Sequence, residues 1–94
     1  MSEDLGNYVY PRTVFVDLVP LKQQIEKAES EIFEAHQLLG RKVVNYDRVA
    51  EEIEDAILVL EGARRILQEK HHVFVNKARL KVVNKLKKRR HFTL

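Results

Sequence analysis

The chain has no cysteine and no tryptophan, only three glycines and two prolines, and not one Asp or Glu after Glu69. Without cysteine there is neither a disulfide framework nor a thiolate metal site, and an intracellular protein is the default expectation. No stretch approaches the roughly 18 consecutive apolar residues of a membrane span. The opening residues Met1, Ser2, Glu3 and Asp4 lack the positive charge and apolar run of a secretion signal, so a soluble, unprocessed, cytoplasmic chain is expected. Catalytic signatures are missing too. The four histidines, His36, His71, His72 and His91, form no HExxH pattern, and there is no glycine-rich phosphate loop and no cysteine nucleophile. Neighbouring His71 and His72 point to different sides in a helix or a strand, which makes them a poor metal pair. No catalytic residue, metal-ligand set, cofactor or small-molecule substrate is expected.

What is present is strongly divided. Residues 1–69 hold all fourteen Asp and Glu against eight Lys and Arg, a formal −6, whereas residues 70–94 hold nine Lys and Arg and no acid, a formal +9. An acidic body with a basic arm points to nucleic acid, an acidic protein or an anionic membrane as partner. The membrane reading is the weakest, because the apolar face of the arm is mostly Val and Ala without Trp.

Hydrophobic spacing predicts an all-α fold: an antiparallel, heptad-patterned helical hairpin followed by a basic amphipathic C-terminal helix, with a short extended N-terminal segment. Residues 1–11 read as an extended or disordered lead-in, residues 12–72 as the body and residues 73–94 as the arm. Tyr8 and Tyr10 in the lead-in suit either partner anchors or rings that cover the core edge. The segment RTVFVDLVP is rich in β-branched and aromatic residues and suits a short strand or an extended segment. Pro20 fits a helix start. From there Leu21, Ile25, Ala28, Ile32, Ala35 and Leu39 make a seam spaced 4, 3, 4, 3, 4, and Gly40 can close the helix in the left-handed conformation. After a connection over residues 41–46, capped by Asn45 or Asp47, a second seam runs through Val49, Ile53, Ala56, Leu60, Ala63 and Leu67. Further apolar residues outside the seams, namely Phe33, Leu38, Ile57, Leu58 and Ile66, are the candidate interface for a protein partner or a homodimer. Gly62 inside the second helix allows a close approach or is simply tolerated at a cost of about 1 kcal/mol. The helix-spaced pairs Lys22/Glu26, Arg48/Glu52 and Glu61/Arg65 read as surface ion pairs.

No glycine or proline follows Gly62, so the second helix either runs on or yields to an extended piece at HHVFV, whose Val73, Phe74 and Val75 repeat Val14, Phe15 and Val16. Packing of both pieces on the helices is preferred to a two-stranded ribbon, which is marginal alone. From Asn76 a helix is expected with Val75, Ala78, Val82, Val83 and Leu86 on one arc and Lys77, Lys81, Lys85 and Lys88 on another. Those four lysines with Lys87, Arg89 and Arg90 are the candidate phosphate contacts, with Arg79 bordering the apolar arc. Such contacts position without reading bases, and only Phe92 and His91 offer rings to stack. The functional expectation is a small non-catalytic accessory subunit that binds nucleic acid through its arm, while the hairpin docks on itself or on a larger replication, transcription or ribosome-associated complex. The alternative is an interaction module or inhibitor whose basic helix enters an acidic protein groove.

Overall fold

The computed structural model describes residues 8–90, and all four of their elements are helices: α1 (Phe15–Leu18), α2 (Leu21–Leu39), α3 (Tyr46–Lys70) and α4 (Val75–Lys88). Helix α2 starts directly after Pro20, whose missing N–H costs nothing at that position. It ends at Gly40, which stays right-handed at φ −83° rather than entering the expected left-handed region. A right-handed turn suffices because the Gly40 amide reaches back to the Gln37 carbonyl at 3.1 Å and the Arg41 amide to that of Leu38 at 3.4 Å. Asn45 caps α3 by accepting from the Arg48 amide at 3.2 Å, and Asp47 adds negative charge to the first turn.

Helices α2 and α3 pack against each other in opposite directions, with Gln24 beside Val59 and Gly62, and Glu31 beside Glu52. The packed face is not the seam predicted from spacing but one rotated from it. Ala28 and Ala35 of the first seam turn inward, and so do Val49, Ala56 and Ala63 of the second. The other inward positions, however, are Gln24, Glu31 and Leu38 on α2 and Glu52, Val59 and Ile66 on α3. Ile25, Ile32, Leu39, Ile53 and Leu60, expected inside, are left exposed. The rotation brings small residues into contact, and Gln24 satisfies its amide by donating to the Val59 carbonyl at 2.9 Å.

The segment RTVFVDLVP forms a single helical turn where a strand or extended piece was expected. Arg12 grips Asp17 with both terminal nitrogens, at 2.8 and 3.0 Å, and this clamp closes the turn around Val16, which is buried. Helix α3 stops at Lys70. His72 takes φ 55°, and the amides of His71 and Val73 both return to the Leu67 carbonyl at 3.2 and 3.0 Å. The 71–74 link is therefore neither a continuing helix nor a strand.

The lead-in is tied down from Tyr8 onward. Both oxygens of Glu61 accept backbone amides, from Val9 at 2.7 Å and from Tyr10 at 2.8 Å. Arg65 donates to the Tyr10 carbonyl at 2.9 Å and lies 4.1 Å from the centre of the Tyr8 ring. Tyr8 donates to Gln68 and Tyr10 to Glu54. Accepting that bond, Glu54 raises the Tyr10 phenol above its ordinary range. Glu61 and Arg65, read from sequence as a surface pair, are thus 6 % and 4 % exposed under this strap. A second set of charges closes the same end: Arg12 with Asp17 and Glu69 at 2.8 Å each, and Lys70 with Asp17 at 3.1 Å. These partners hold the Asp17 and Glu69 carboxyls below the usual carboxylate range and raise the Arg12 guanidinium.

Candidate nucleic-acid interface

Helix α4 carries every described candidate phosphate contact except Arg89 and Arg90, which follow it directly. At about 1.5 Å per residue, Lys77, Lys81, Lys85 and Lys88 form a row roughly 16 Å long on one side of the helix. Lys81, Lys85, Lys88 and Arg89 line one shallow groove together with Asn84. Lys87 lies beside the row, and Arg90 ends it at φ 56°, its amide bonded to the Lys87 carbonyl at 3.0 Å. All seven candidates are exposed, and within the described residues none of them meets a carboxylate: the ion pairs found involve Arg12, Lys27, Arg48 and Lys70 instead. Arg79 stands apart, turned into the cleft between α4 and the body beside Leu67 and Ala78. His91 and Phe92, the possible stacking rings, lie outside the described residues.

Local energetics explain how such a helix holds together and what it still needs. Lys85, Lys87 and Lys88 sit in the last turn, where positive charge meets the negative end of the helix dipole. Against this, the start has no side-chain cap, there is no acid to pair at i,i+4, and the lysine row repels itself. Helices shorter than about 12–15 residues are marginal in water, and this one has 14. Its apolar arc does little to help. Val75 and Leu86 are half-buried, while Val82 and Val83 line an open cleft with Arg64 and Leu67.

The five residues expected to make a partner interface do not form one patch. Leu38 and Ile66 are inside the hairpin core, which corrects their placement on an outer surface: the rotation of both helices turned them inward. Ile57 borders the flank that holds Ile25 and Leu60. Leu58 lies on the opposite flank with Phe15 and Asp55, and Phe33 is exposed. That opposite flank also gathers Glu31, Glu52 and Asp55, whose carboxylate oxygens lie within 4.8 Å of one another. Oxygen-only donors suit a hard cation. Glu52 also lies 4.0 Å from the Arg48 guanidinium, while hydrogen bonding with Glu34, then burial and Glu31, push its pKa up to about 7. Among the described residues no helix is long and apolar enough to cross a membrane.

Sequence reasoning found the cationic row because its spacing is local. It missed the cluster around Glu52 and the Glu61–Arg65 clamp, since Glu and Arg at helix spacing ordinarily mark solvent. Comparison with protein-family models, curated proteins and solved structures gives no match, so the chemistry of these residues alone bears on function.

Proposed function

We propose that the protein is a small non-catalytic nucleic-acid-binding subunit that grips the phosphate backbone, without base specificity, through α4 and the two arginines after it. The observation that carries this reading is the exposed row of Lys77, Lys81, Lys85 and Lys88, with Lys87 beside it and Arg89 and Arg90 at its end, none with a carboxylate partner among the described residues. Unpaired lysines along one helix repel each other. Phosphates relieve that repulsion and release condensed counterions, so affinity falls steeply with salt. Binding in this way also stabilises a helix that is marginal on its own. The acidic body keeps the rest of the surface away from the polyanion and so orients the arm.

The test is binding of labelled random-sequence duplex DNA and single-stranded RNA across a salt series. The intact chain is compared with a full-length variant in which Lys77, Lys81, Lys85 and Lys88 are glutamine. Each lost duplex phosphate contact lowers the salt slope by about 0.9, so a decrease of roughly 3–4 is expected. An unchanged slope and affinity, or no binding by the intact chain at low salt, refutes the proposal. A second reading is favoured by the open apolar arc at Val82 and Val83, which are 49 % and 37 % exposed: the arm docks in an acidic groove of another protein. That reading predicts loss of partner binding when Val82 and Val83 become serine, a change that leaves phosphate binding intact.

A further inference from the structure

The rotation of α2 and α3 leaves half of each predicted seam unused. Ile25, Ile32 and Leu39 on α2 and Tyr46, Ile53 and Leu60 on α3 are exposed, from 40 % at Ile25 to 71 % at Tyr46. Because the helices are antiparallel, all six fall on the same flank, and Ile25 and Leu60 line one open hollow. Their spacing places them in three rows about 10 Å apart: Ile25 with Leu60, Ile32 with Ile53, and Leu39 with Tyr46. Helix spacing puts Lys22, Glu29 and His36 along the α2 border of the stripe, and charged side chains enter it only at the Leu60 end, where Glu61, Arg64 and Arg79 share the hollow with Ile25 and Leu60. The monomer's own core is correspondingly small, since no large side chain among the described residues is fully buried.

We infer that a second copy of this chain covers the flank, the two hairpins closing into an antiparallel four-helix bundle about a two-fold axis through the Ile32 and Ile53 row. Three features select a second copy. First, the stripe is self-complementary: the axis sets Ile32 against Ile32 and Ile53 against Ile53, and matches the outer rows to each other, Leu39 to Ile25 and Tyr46 to Leu60. Second, the polar groups agree. The same axis brings Glu29 of one copy opposite His36 of the other, whose ring N–H can donate to the carboxylate, and sends the two basic arms to opposite ends, which keeps their like charges apart. Third, the area suffices. A flank about 28 Å long, from the 19 residues of α2, and about 18 Å wide across two helices offers roughly 500 Å² per copy, so two copies meet the roughly 1,000 Å² of a specific interface. Helix positions that face one neighbour inward and a second neighbour sideways are those of a four-helix bundle, which is why the spacing is heptad while the hairpin uses only half of it.

Sedimentation equilibrium of the intact chain without nucleic acid tests this independently of phosphate binding. The expected mass is about 22 kDa, twice the 11.1 kDa of one chain. Ile32→Glu and Leu60→Glu, both at sites exposed in the single hairpin, are expected to give 11.1 kDa species that remain helical by circular dichroism, whereas Phe33→Glu, off the stripe, stays dimeric. The chain has no cysteine of its own, so Ile32→Cys is expected to cross-link readily under mild oxidation and Phe33→Cys is not. A wild-type mass of 11.1 kDa at several hundred micromolar overturns the inference, as does an unchanged dimer in both glutamate variants or equal cross-linking of the two cysteines.

Discussion

Replacing Gly62 by alanine sets two effects of similar size against each other. Helix propensity favours the change by about 1 kcal/mol. The added Cβ, however, would lie 2.5 Å from Gln24 Nε2 and 3.4 Å from Gln24 Cδ. The Gln24 amide has nowhere easy to go: the residue is buried and donates to the Val59 carbonyl at 2.9 Å. Displacing it forfeits that bond and leaves a buried donor unpaired, at about 1–3 kcal/mol. The clash therefore wins, and Gly62→Ala is expected to lose about 1 kcal/mol net, a fall of about 4–8 °C in Tm for a chain of this size. In a Gln24→Ala background the obstacle is gone. The same substitution should then stabilise by up to about 1 kcal/mol, a coupling of about 2 kcal/mol between the sites. Urea unfolding of the four proteins, followed by circular dichroism at fixed protein concentration, measures the cycle. A Gly62→Ala variant more stable than wild type, or one with the same effect in both backgrounds, would refute the reasoning about Gln24.

Two further outcomes follow from the charged groups. Glu52 holds a proton in the folded chain up to about pH 7, against an ordinary value of 4.5; stability from this source is full below pH 4.5, falls as the pH rises to 7, and is level above. Asp17 and Glu69, lowered by Arg12, work in the opposite sense below their ordinary values of 3.8 and 4.5, which places the optimum at about pH 5. Thermal unfolding from pH 3 to 9 should trace this maximum, and Glu52→Gln should remove its decline toward neutrality; a decline that survives the substitution assigns it elsewhere. Glu61→Ala strips the acceptors from the Val9 and Tyr10 amides and leaves two donors under the strap unpaired, so a loss of about 3 kcal/mol is expected. Hydrogen exchange at those two amides should accelerate accordingly, and unchanged protection there would show that the strap is held by other contacts.

Much of this architecture is written in short-range pattern. Pro20 and Gly40 bracket α2, Asn45 opens α3, and the lysine spacing of α4 is a local property of the chain. The azimuth of the two central helices is not local. Both sets of seam residues are apolar, so periodicity alone does not distinguish which set meets the sister helix, and Gln24, Glu31 and Glu52 look like solvent positions. Gln24 turns inward because Gly62 makes room for it, and Glu31 and Glu52 face each other across the hairpin, where Glu34, burial and Glu31 raise the Glu52 carboxyl. The turn at Phe15–Leu18 defied its β-branched composition because Arg12, three residues before it, grips Asp17 within it. On the arm, the residues were identifiable but their freedom from carboxylates was not, since that depends on where the acids of the body lie.

The strap has a bearing on the order in which the molecule assembles. Its bonds to Glu54, Glu61, Arg65 and Gln68 join residues 44 to 60 positions apart, whereas α2 and α3 meet across a six-residue connection. Closing the longer loop costs more chain entropy and rewards nothing until α3 exists to receive it. The hairpin is thus expected to form first as a template, with the strap at Tyr8, Val9 and Tyr10, though made before either helix, docking after it.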